Sequence, residues 1–215
     1  MNIKSIGKEL KAHSPLTFAG AVMGIVIFAF LSHFKVDPST SESLFEVFHP
    51  LHVLLSAFAT IATFKRMGGA GFWKILAIGW FGSIGIATLS DCIIPYIGEW
   101  MLNLPNRGLH LDFIHHWAFI NSLAIAGIAF GLLLPNTKIP HGLHVLISTW
   151  ASLFHIFMAI AGTISVFTYI GVLVFIFLSV LIPCCTSDIV FPLFFVKHKD
   201  GCEIPHCCCG HKERL

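Results

Sequence analysis

Two pairs of histidines with the spacing His-x-x-His are the residues of this sequence best suited to chemistry. His49 and His52 lie in HPLHVLLS, and His141 and His144 lie in HGLHVLIS, which shares six of its eight letters with the first stretch. Residues three apart on a helix share a face, so both imidazoles of a pair can point at one centre. Because imidazole is a common transition-metal ligand, each pair predicts part of a metal site.

Two aspartates recur in matching surroundings. Asp91 in SDCIIP and Asp188 in SDIVFP each follow a serine and precede a proline by four residues. A carboxylate at the centre of a membrane span costs about 2.5–3.5 kcal/mol on insertion scales and usually faces a partner inside the bundle. We therefore expect each aspartate to join one histidine pair. The alternatives are histidines at the level of the lipid headgroups and aspartates that cap or end a helix beside the proline.

The elements that must position these residues are membrane-spanning helices. Of the 215 residues, 56% are hydrophobic and only 11% are charged, and the mean hydropathy is +0.83. This composition is typical of an integral membrane protein. A span needs about 20 largely apolar residues. Six segments meet that condition: 15–34, 47–64, 73–97, 113–134, 141–160 and 164–196.

The sequence thus predicts an all-α, polytopic membrane protein with six transmembrane helices. Residues 1–215 are expected to form a single membrane domain that ends in a cytoplasmic tail over 198–215. Among the 13 lysines and arginines, only Lys35 and Arg107 fall on the outer side of this topology. The positive-inside rule therefore predicts that both termini are cytoplasmic, and we expect the plasma membrane of a prokaryote. Five carboxylates gather on the outer side: Asp37, Glu42, Glu46, Glu99 and Asp112.

The chain contains an internal repeat. The two histidine pairs, 92 residues apart, align the second span with the fifth, and the two aspartates align the third with the sixth. The first and fourth spans share Gly-x-x-x-Gly steps, at Gly20 and Gly24 and at Gly127 and Gly131. Each copy, about 1–100 and 105–197, holds three spans, so the two copies enter the membrane from opposite sides. Two inverted three-helix repeats are the architecture of many secondary transporters.

This topology divides the candidate ligands between two quasi-equivalent sites. The predicted outer site combines His49, His52 and Asp91 with His115 or His116, and the predicted inner site combines His141, His144, Asp188 and His13. His155, 14 residues after His141, would lie about 21 Å further along a helix, so we expect it to reach the outer group. For His115 and His116 the alternative is a simple loop position, and for His155 it is a buried residue bonded to a carbonyl.

The cysteines offer softer ligands on the cytoplasmic side. Cys184 and Cys185 precede Asp188 and could supply thiolates to the inner site, although a buried cysteine also packs as a small hydrophobe. Residues 202–211 of the tail carry six thiol or imidazole groups: Cys202, His206, Cys207, Cys208, Cys209 and His211. Their spacing matches no zinc-finger pattern, and metal capture and S-acylation both remain open for them.

Together these patterns predict a transporter or channel for a divalent transition metal, with Zn, Fe, Mn, Co, Ni and Cu as candidate ions. The expected partners are the lipid bilayer and the ion, and a homodimer is allowed. A b-type haem electron carrier and an intramembrane metal-dependent hydrolase are the alternatives. The duplicated site and the lack of hydrolase motifs favour transport over enzymatic activity. No basic patch with interleaved aromatic residues predicts a nucleic-acid partner.

Overall fold

The regular structure of the protein is helical. The computed structural model describes residues 15, 17–27, 29–30, 33, 38–134, 138–160, 165–185, 191 and 195, and these residues contain no strand. Six helices of more than ten residues build the described bundle: α1 (Thr17–Ile27), α2 (Pro38–Arg66), α3 (Phe72–Met101), α4 (Trp117–Leu133), α5 (Lys138–Met158) and α6 (Val166–Cys185). Each overlaps one of the six predicted segments.

Three of these helices are long and apolar enough to cross a membrane. They are α3, together with Ser39–Arg66 of α2 and Val166–Cys184 of α6. The apolar parts of the other three helices, Thr17–Ile27, Trp117–Leu133 and Gly142–Met158, are shorter. An all-helical fold with helices of membrane-spanning length is thus confirmed.

Polar and apolar side chains are distributed as expected for a protein surrounded by hydrocarbon. Large apolar side chains cover the outside, where Phe167 is 85% exposed and Trp73 is 76% exposed. In contrast, His52, Asp91 and His144 are 0% exposed at the centre of the bundle. Charged and polar groups of membrane helices face the bundle interior because lipid offers them no hydrogen bonds.

α2 begins at Pro38, well before the predicted start of the second span at residue 47. Proline suits a first helical turn, where its missing N–H group has no intrahelical partner to lose. The polar residues that follow Pro38 continue the helix, but the apolar segment predicted for the second span does not include them. His52 therefore lies 14 residues, about 21 Å, along a helix of 29 residues. It occupies the middle of α2, whereas the sequence had suggested its outer end.

α2 and α5 pack against each other in opposite directions. The ring of Phe45 contacts His155, the ring of Phe48 contacts Phe154, and the ring of His52 contacts His144. Moving forward along α2 thus means moving backward along α5. The two helices that carry the histidine pairs are antiparallel neighbours.

α4 approaches α2 closely through the second Gly-x-x-x-Gly step. A Cβ atom at Gly127 would overlap the carbonyl oxygen of Leu54 and lie 2.7 Å from the Cβ atom of Ala57. A Cβ atom at Gly131 would lie 2.8 Å from the Cβ atom of Ile61. Only glycine allows this separation of the two backbones.

α1 meets α5 through the first Gly-x-x-x-Gly step. A Cβ atom at Gly20 would lie 3.2 Å from the side chain of Thr149, and one at Gly24 would lie 3.6 Å from the side chain of Leu153. Thr149 and Leu153 are the residues that the 92-residue offset pairs with Ala57 and Ile61. The contact of α1 with α5 therefore repeats the contact of α4 with α2, position by position.

We expect Gly127→Ala to lower the free energy of unfolding by about 1–3 kcal/mol, because the added methyl group has to displace the backbone of α2. Gly85→Ala is the matched control, since a Cβ atom there meets nothing within 4 Å and alanine favours helix. Unfolding of the purified protein by titration with a denaturing detergent measures both. Equal stability of Gly127→Ala and wild type would contradict the close approach.

Candidate metal centre

Asp91 is the centre of a buried hydrogen-bond network. Its Oδ2 atom accepts hydrogen bonds from Nδ1 of His49 at 3.0 Å and from Nδ1 of His52 at 2.6 Å. Its Oδ1 atom accepts from the hydroxyl groups of Ser90 at 2.7 Å and Ser148 at 3.1 Å. With a longer contact from the hydroxyl group of Ser152 at 3.5 Å, five donors from three helices compensate for removing one carboxylate from water.

A local irregularity of α3 presents this carboxylate. Two turns of α3, Phe81–Gly85 and Leu89–Ile93, are π-helical, and Asp91 lies in the second. A π-helical turn widens the helix, changes which residues share a face and often occurs at a functional site. In this turn the side chains of Ser90 and Asp91 are both fully buried.

His52 presents its second ring nitrogen to α5. Nδ1 of His52 donates its hydrogen to Asp91, so in the neutral form of the ring the Nε2 atom holds a lone pair. That Nε2 atom lies 2.7 Å from Nε2 of His144, which is the donor to this form of the ring. A carboxylate behind one imidazole nitrogen, with the other nitrogen free to bind, is the usual arrangement of a metal-ligating histidine.

Cys184 of α6 brings a sulfur atom to the same place. Its Sγ atom lies 4.0 Å from Nε2 of His52, and its thiol group donates to the hydroxyl oxygen of Ser148 at 3.5 Å. The ligand atoms of His52, His144 and Cys184 all lie within 4.8 Å of one another, and all three residues are buried. We call these three residues the central site.

The ligands of the central site suit a borderline or soft transition metal. Two imidazole nitrogens and one thiolate favour ions such as Zn, Co or Cu over Mg or Ca, and they leave a fourth tetrahedral position open. With metal–nitrogen bonds of about 2.0–2.1 Å, the two nitrogens of a tetrahedral site lie about 3.3 Å apart. The histidine rings would therefore separate slightly, and the thiol group would lose its proton on binding.

The sequence prediction of separate outer and inner clusters needs correction here. His144, assigned to the inner cluster, lies against His52, assigned to the outer one. Both histidines, with His49 and Asp91, belong to a single buried network. The apolar-segment boundaries misplaced His49 and His52 toward a helix end, although they lie at the middle of α2.

The remaining predicted ligands fall outside this network. His115 and His116 are exposed beside the short helical turn Asp112–His115 that precedes α4. The backbone of His141 belongs to α5, but its side chain lies outside the described residues, as do His13, Asp188 and the cysteine-rich tail. For these the predicted roles stay predictions.

His155 forms a second buried pair, with Glu99. Its Nδ1 atom donates to Oε1 of Glu99 at 2.8 Å, and Oε2 of Glu99 accepts the N–H group of Gly108 at 3.2 Å. Both side chains of the pair are buried. The Nε2 atom of His155 is also buried and has no hydrogen-bond partner among the residues that the structure describes.

Phe45 separates this pair from the Asp91 network. Its ring stacks on His49 with centroids 5.3 Å apart and meets His155 edge-on at 5.4 Å. His110, half-buried in the loop after α3, lies beside both rings, with ring centroids 5.3 Å from His155 and 6.4 Å from Phe45. Burial lowers the pKa of His110, and the neighbouring His155 lowers it further, against the opposing effect of Glu99.

Sequence reasoning missed or misassigned several of these residues. Ser148 was visible as a repeated letter, matched with Ser56, but its role as a donor to Asp91 was not inferred. The sequence predicts Cys184 as a ligand of an inner site or as a small packing residue, but not as a neighbour of His52. Glu99 was assigned to an outer acidic rim, yet it is buried. The sequence signal that could have pointed to Glu99 was its position eight residues after Asp91, on the same helix.

Known proteins give no guide to the chemistry of this site. No protein-family model, no curated protein and no solved structure matches this chain.

Proposed function

We propose that this protein binds a divalent transition-metal ion at the central site and carries it across the membrane as its substrate. The observation that carries the proposal is the meeting of two imidazole nitrogens and one sulfur, fully buried, about halfway along a helix of membrane-spanning length. Three ligands from three helices converge there, and the carboxylate of Asp91 orients one of them. Such a group has no packing advantage over apolar side chains.

The position of the site favours transport. Secondary transporters with inverted repeats bind their substrates near the middle of the membrane, where the two repeats meet. His52 and His144 occupy equivalent repeat positions and touch each other. The matching glycine contacts of α4 with α2 and of α1 with α5 support the same relation. We therefore include two inverted three-helix repeats, related by a pseudo-two-fold axis beside these histidines, in the proposal.

A single central site implies a different transport cycle from the one expected for two separate sites. The sequence suggested that an ion passes from an outer cluster to an equivalent inner one. A single site shared by both halves fits better with alternating access, in which rocking of the halves exposes the same ligands first to one side and then to the other.

An intramembrane metal-dependent hydrolase is the second candidate, favoured by the open fourth coordination position. Catalytic zinc sites usually have three protein ligands and one bound water. A haem between His52 and His144 is not supported, since a separation of 2.7 Å between their Nε2 atoms leaves no space for a porphyrin.

Uptake of Zn²⁺ into proteoliposomes that contain a zinc-sensitive dye tests the proposal. We expect wild-type protein to carry Zn²⁺ down its gradient and His144→Ala to reduce the rate at least about tenfold, because one of three ligands is lost. His116→Ala is the control, since this histidine is exposed. Tight Zn²⁺ binding by wild type without any uptake would contradict transport and favour the hydrolase.

A further inference from the structure

We propose that the buried pair of Glu99 and His155 binds a proton, which the protein exchanges for the metal ion across the membrane. The exchange rests on the proposed function, because it requires metal transport. Proton binding by the pair rests on the contacts of the pair itself. We call these two residues the proton site.

The proton site contains a carboxylate charge that no other cation compensates. Glu99 is 1% exposed, and its only ion-pair partner among the described residues is His155, which is 0% exposed. Oε1 of Glu99 accepts the hydrogen of Nδ1 of His155, and Oε2 accepts the backbone N–H group of Gly108. While the His155 ring is neutral, the pair carries one buried negative charge. One added proton makes the ring cationic and the pair neutral overall, which a low-dielectric interior favours.

Nε2 of His155 is the atom that receives the proton. It is buried and has no hydrogen-bond partner among the described residues. A metal ion would need further ligand atoms beside it, and within the described part of the chain only the central site brings three such atoms within 4.8 Å of one another. A proton needs a single lone pair. The protonated ring lies against that of Phe45, with centroids 5.4 Å apart, and an aromatic ring attracts a cation at this distance.

His110 connects the proton site with the surface. Its ring is half-buried in the loop after α3 and meets the His155 ring edge-on, with centroids 5.3 Å apart. Burial lowers the pKa of His110, and the neighbouring His155 lowers it further. Three carboxylates oppose this effect: Glu99, Glu42 and Asp112. A lowered pKa suits an imidazole that passes a proton on instead of keeping it, and chains of histidine and carboxylate groups form proton relays in membrane transporters.

The elements around the proton site bring further ionisable groups, which differ from Glu99 in exposure or in contacts. Asp112 is the alternative proton acceptor, because its Oδ2 atom is buried without a hydrogen bond among the described residues. Glu42, Glu46 and Arg107 are exposed. By element, the described groups are Glu42, Glu46 and His49 of α2, Cys92 of α3, Arg107, His110 and Asp112 between α3 and α4, and Tyr169 of α6.

The proton site and the central site are close enough to affect each other. His155 follows His144 by 11 residues, which is about 16 Å along α5. The ring of Phe45 lies between His155 and His49, and His49 bonds to Asp91. A cation at His155 and a divalent cation at the central site repel each other in the bundle interior, where little water screens them. Binding of either ion therefore favours release of the other.

The proton site lies between the two proposed repeats. Glu99 belongs to α3 of the first repeat, and His155 belongs to α5 of the second. Rocking of the halves therefore changes the surroundings of this pair together with those of the central site. A proton taken from solution on one face leaves Nε2 for solution on the other face, and the His155 ring becomes neutral again.

Nitrogen NMR of the purified, histidine-labelled full chain, with a chelator present to exclude metal, tests proton binding. The Nε2 resonance of a ring with hydrogen on Nδ1 moves far upfield when Nε2 also gains a hydrogen, and the spectrum of His155→Gln identifies the signal. Histidine changes charge between about pH 5 and 8, so the titration covers this range. We expect the shift in wild type and in Asp112→Asn. Glu99→Gln should lose it, because no negative charge remains to compensate the cation.

Proteoliposomes that contain a pH-sensitive dye test the exchange. With K⁺ and valinomycin holding the membrane potential at zero, entry of Zn²⁺ through the wild-type protein should make the lumen more alkaline. Glu99→Gln should take up Zn²⁺ and lose this pH change. Glu46→Gln is the control, since it alters an exposed carboxylate of α2, and it should behave as wild type.

Three results would overturn the proposal. The first is a His155 signal of wild type that keeps its neutral position throughout the titration. The second is a shift that Asp112→Asn abolishes and Glu99→Gln retains. The third is Zn²⁺ uptake by wild type without a change of lumenal pH, a measurement that requires no variant to fold. Absence of Zn²⁺ uptake by wild type would instead reject the transporter, and the NMR titration would still decide whether the pair binds a proton.

Discussion

Asp91→Ala is expected to unfold with a free energy about 3–5 kcal/mol below that of wild type, because each buried donor that loses its acceptor costs about 1–3 kcal/mol. The substitution removes the acceptor of Nδ1 of His49, of Nδ1 of His52 and of the Ser148 hydroxyl group. The hydroxyl groups of Ser90 and Ser152 keep carbonyl acceptors, at Ala87 and Ser90. These side chains lie in the described interior, where water cannot replace the carboxylate at low cost. Unfolding of the purified protein by a denaturing detergent measures the loss.

Glu46→Ala is the control for this prediction, because Glu46 is an exposed carboxylate on α2. We expect it to stay within about 0.5 kcal/mol of wild type. Asp91→Asn separates stability from metal binding, since it keeps the shape of the side chain but loses the charge that orients His52. Its affinity for Zn²⁺ should fall about 10–100-fold. An Asp91→Ala variant as stable as Glu46→Ala would show that the network contributes little.

Cys184→Ala is expected to weaken Zn²⁺ binding at the central site by more than about 100-fold, beyond the effect of losing an outer-shell partner. The variant removes the only sulfur among the three ligands of the central site. Competition with a chelator of known affinity measures the change for Zn²⁺. The free energy of unfolding without metal should change much less, because a thiol group is a weak hydrogen-bond donor, here to Ser148.

Cys92→Ala is the matched control for Cys184→Ala. Cys92 is also a buried free cysteine, and it directly follows Asp91 in the sequence. Its neighbours, however, are the apolar side chains of Phe45, Phe154 and Met158. We expect its removal to leave the Zn²⁺ affinity unchanged within about threefold, since it is not among the ligand atoms of the central site. Equal losses in both cysteine variants would reject the assignment of Cys184.

The sequence predicted the helical fold and several of the site residues because these depend on local patterns. Apolar runs located the six longer helices of the described residues, three of which are of membrane-spanning length, and the duplicated His-x-x-His pairs pointed to His52 and His144. Asp91 stood out because a carboxylate in an apolar helix needs a partner. Each of these inferences uses only neighbours along the chain.

The arrangement of the site could not be predicted in the same way. Hydropathy cannot find the start of α2 at Pro38, because its first turns are polar, and this start places His52 at mid-helix. The two π-helical turns of α3 alter the faces presented by Asp91 and Glu99, so a regular helical period fails there. The contact between His52 and His144 depends on how two distant helices pack.

The thiol of Cys184 makes the two proposed halves unequal. Shifting Cys184 back by 97 residues, the separation of Asp91 and Asp188, leads to Ala87, which has no ligand atom. The imidazoles of His52 and His144 are shared evenly between the halves, but the sulfur belongs to one of them. In the proposed carrier, the loaded protein would therefore have different free energies in its two orientations, and the ion would bind with different affinities on the two faces of the membrane.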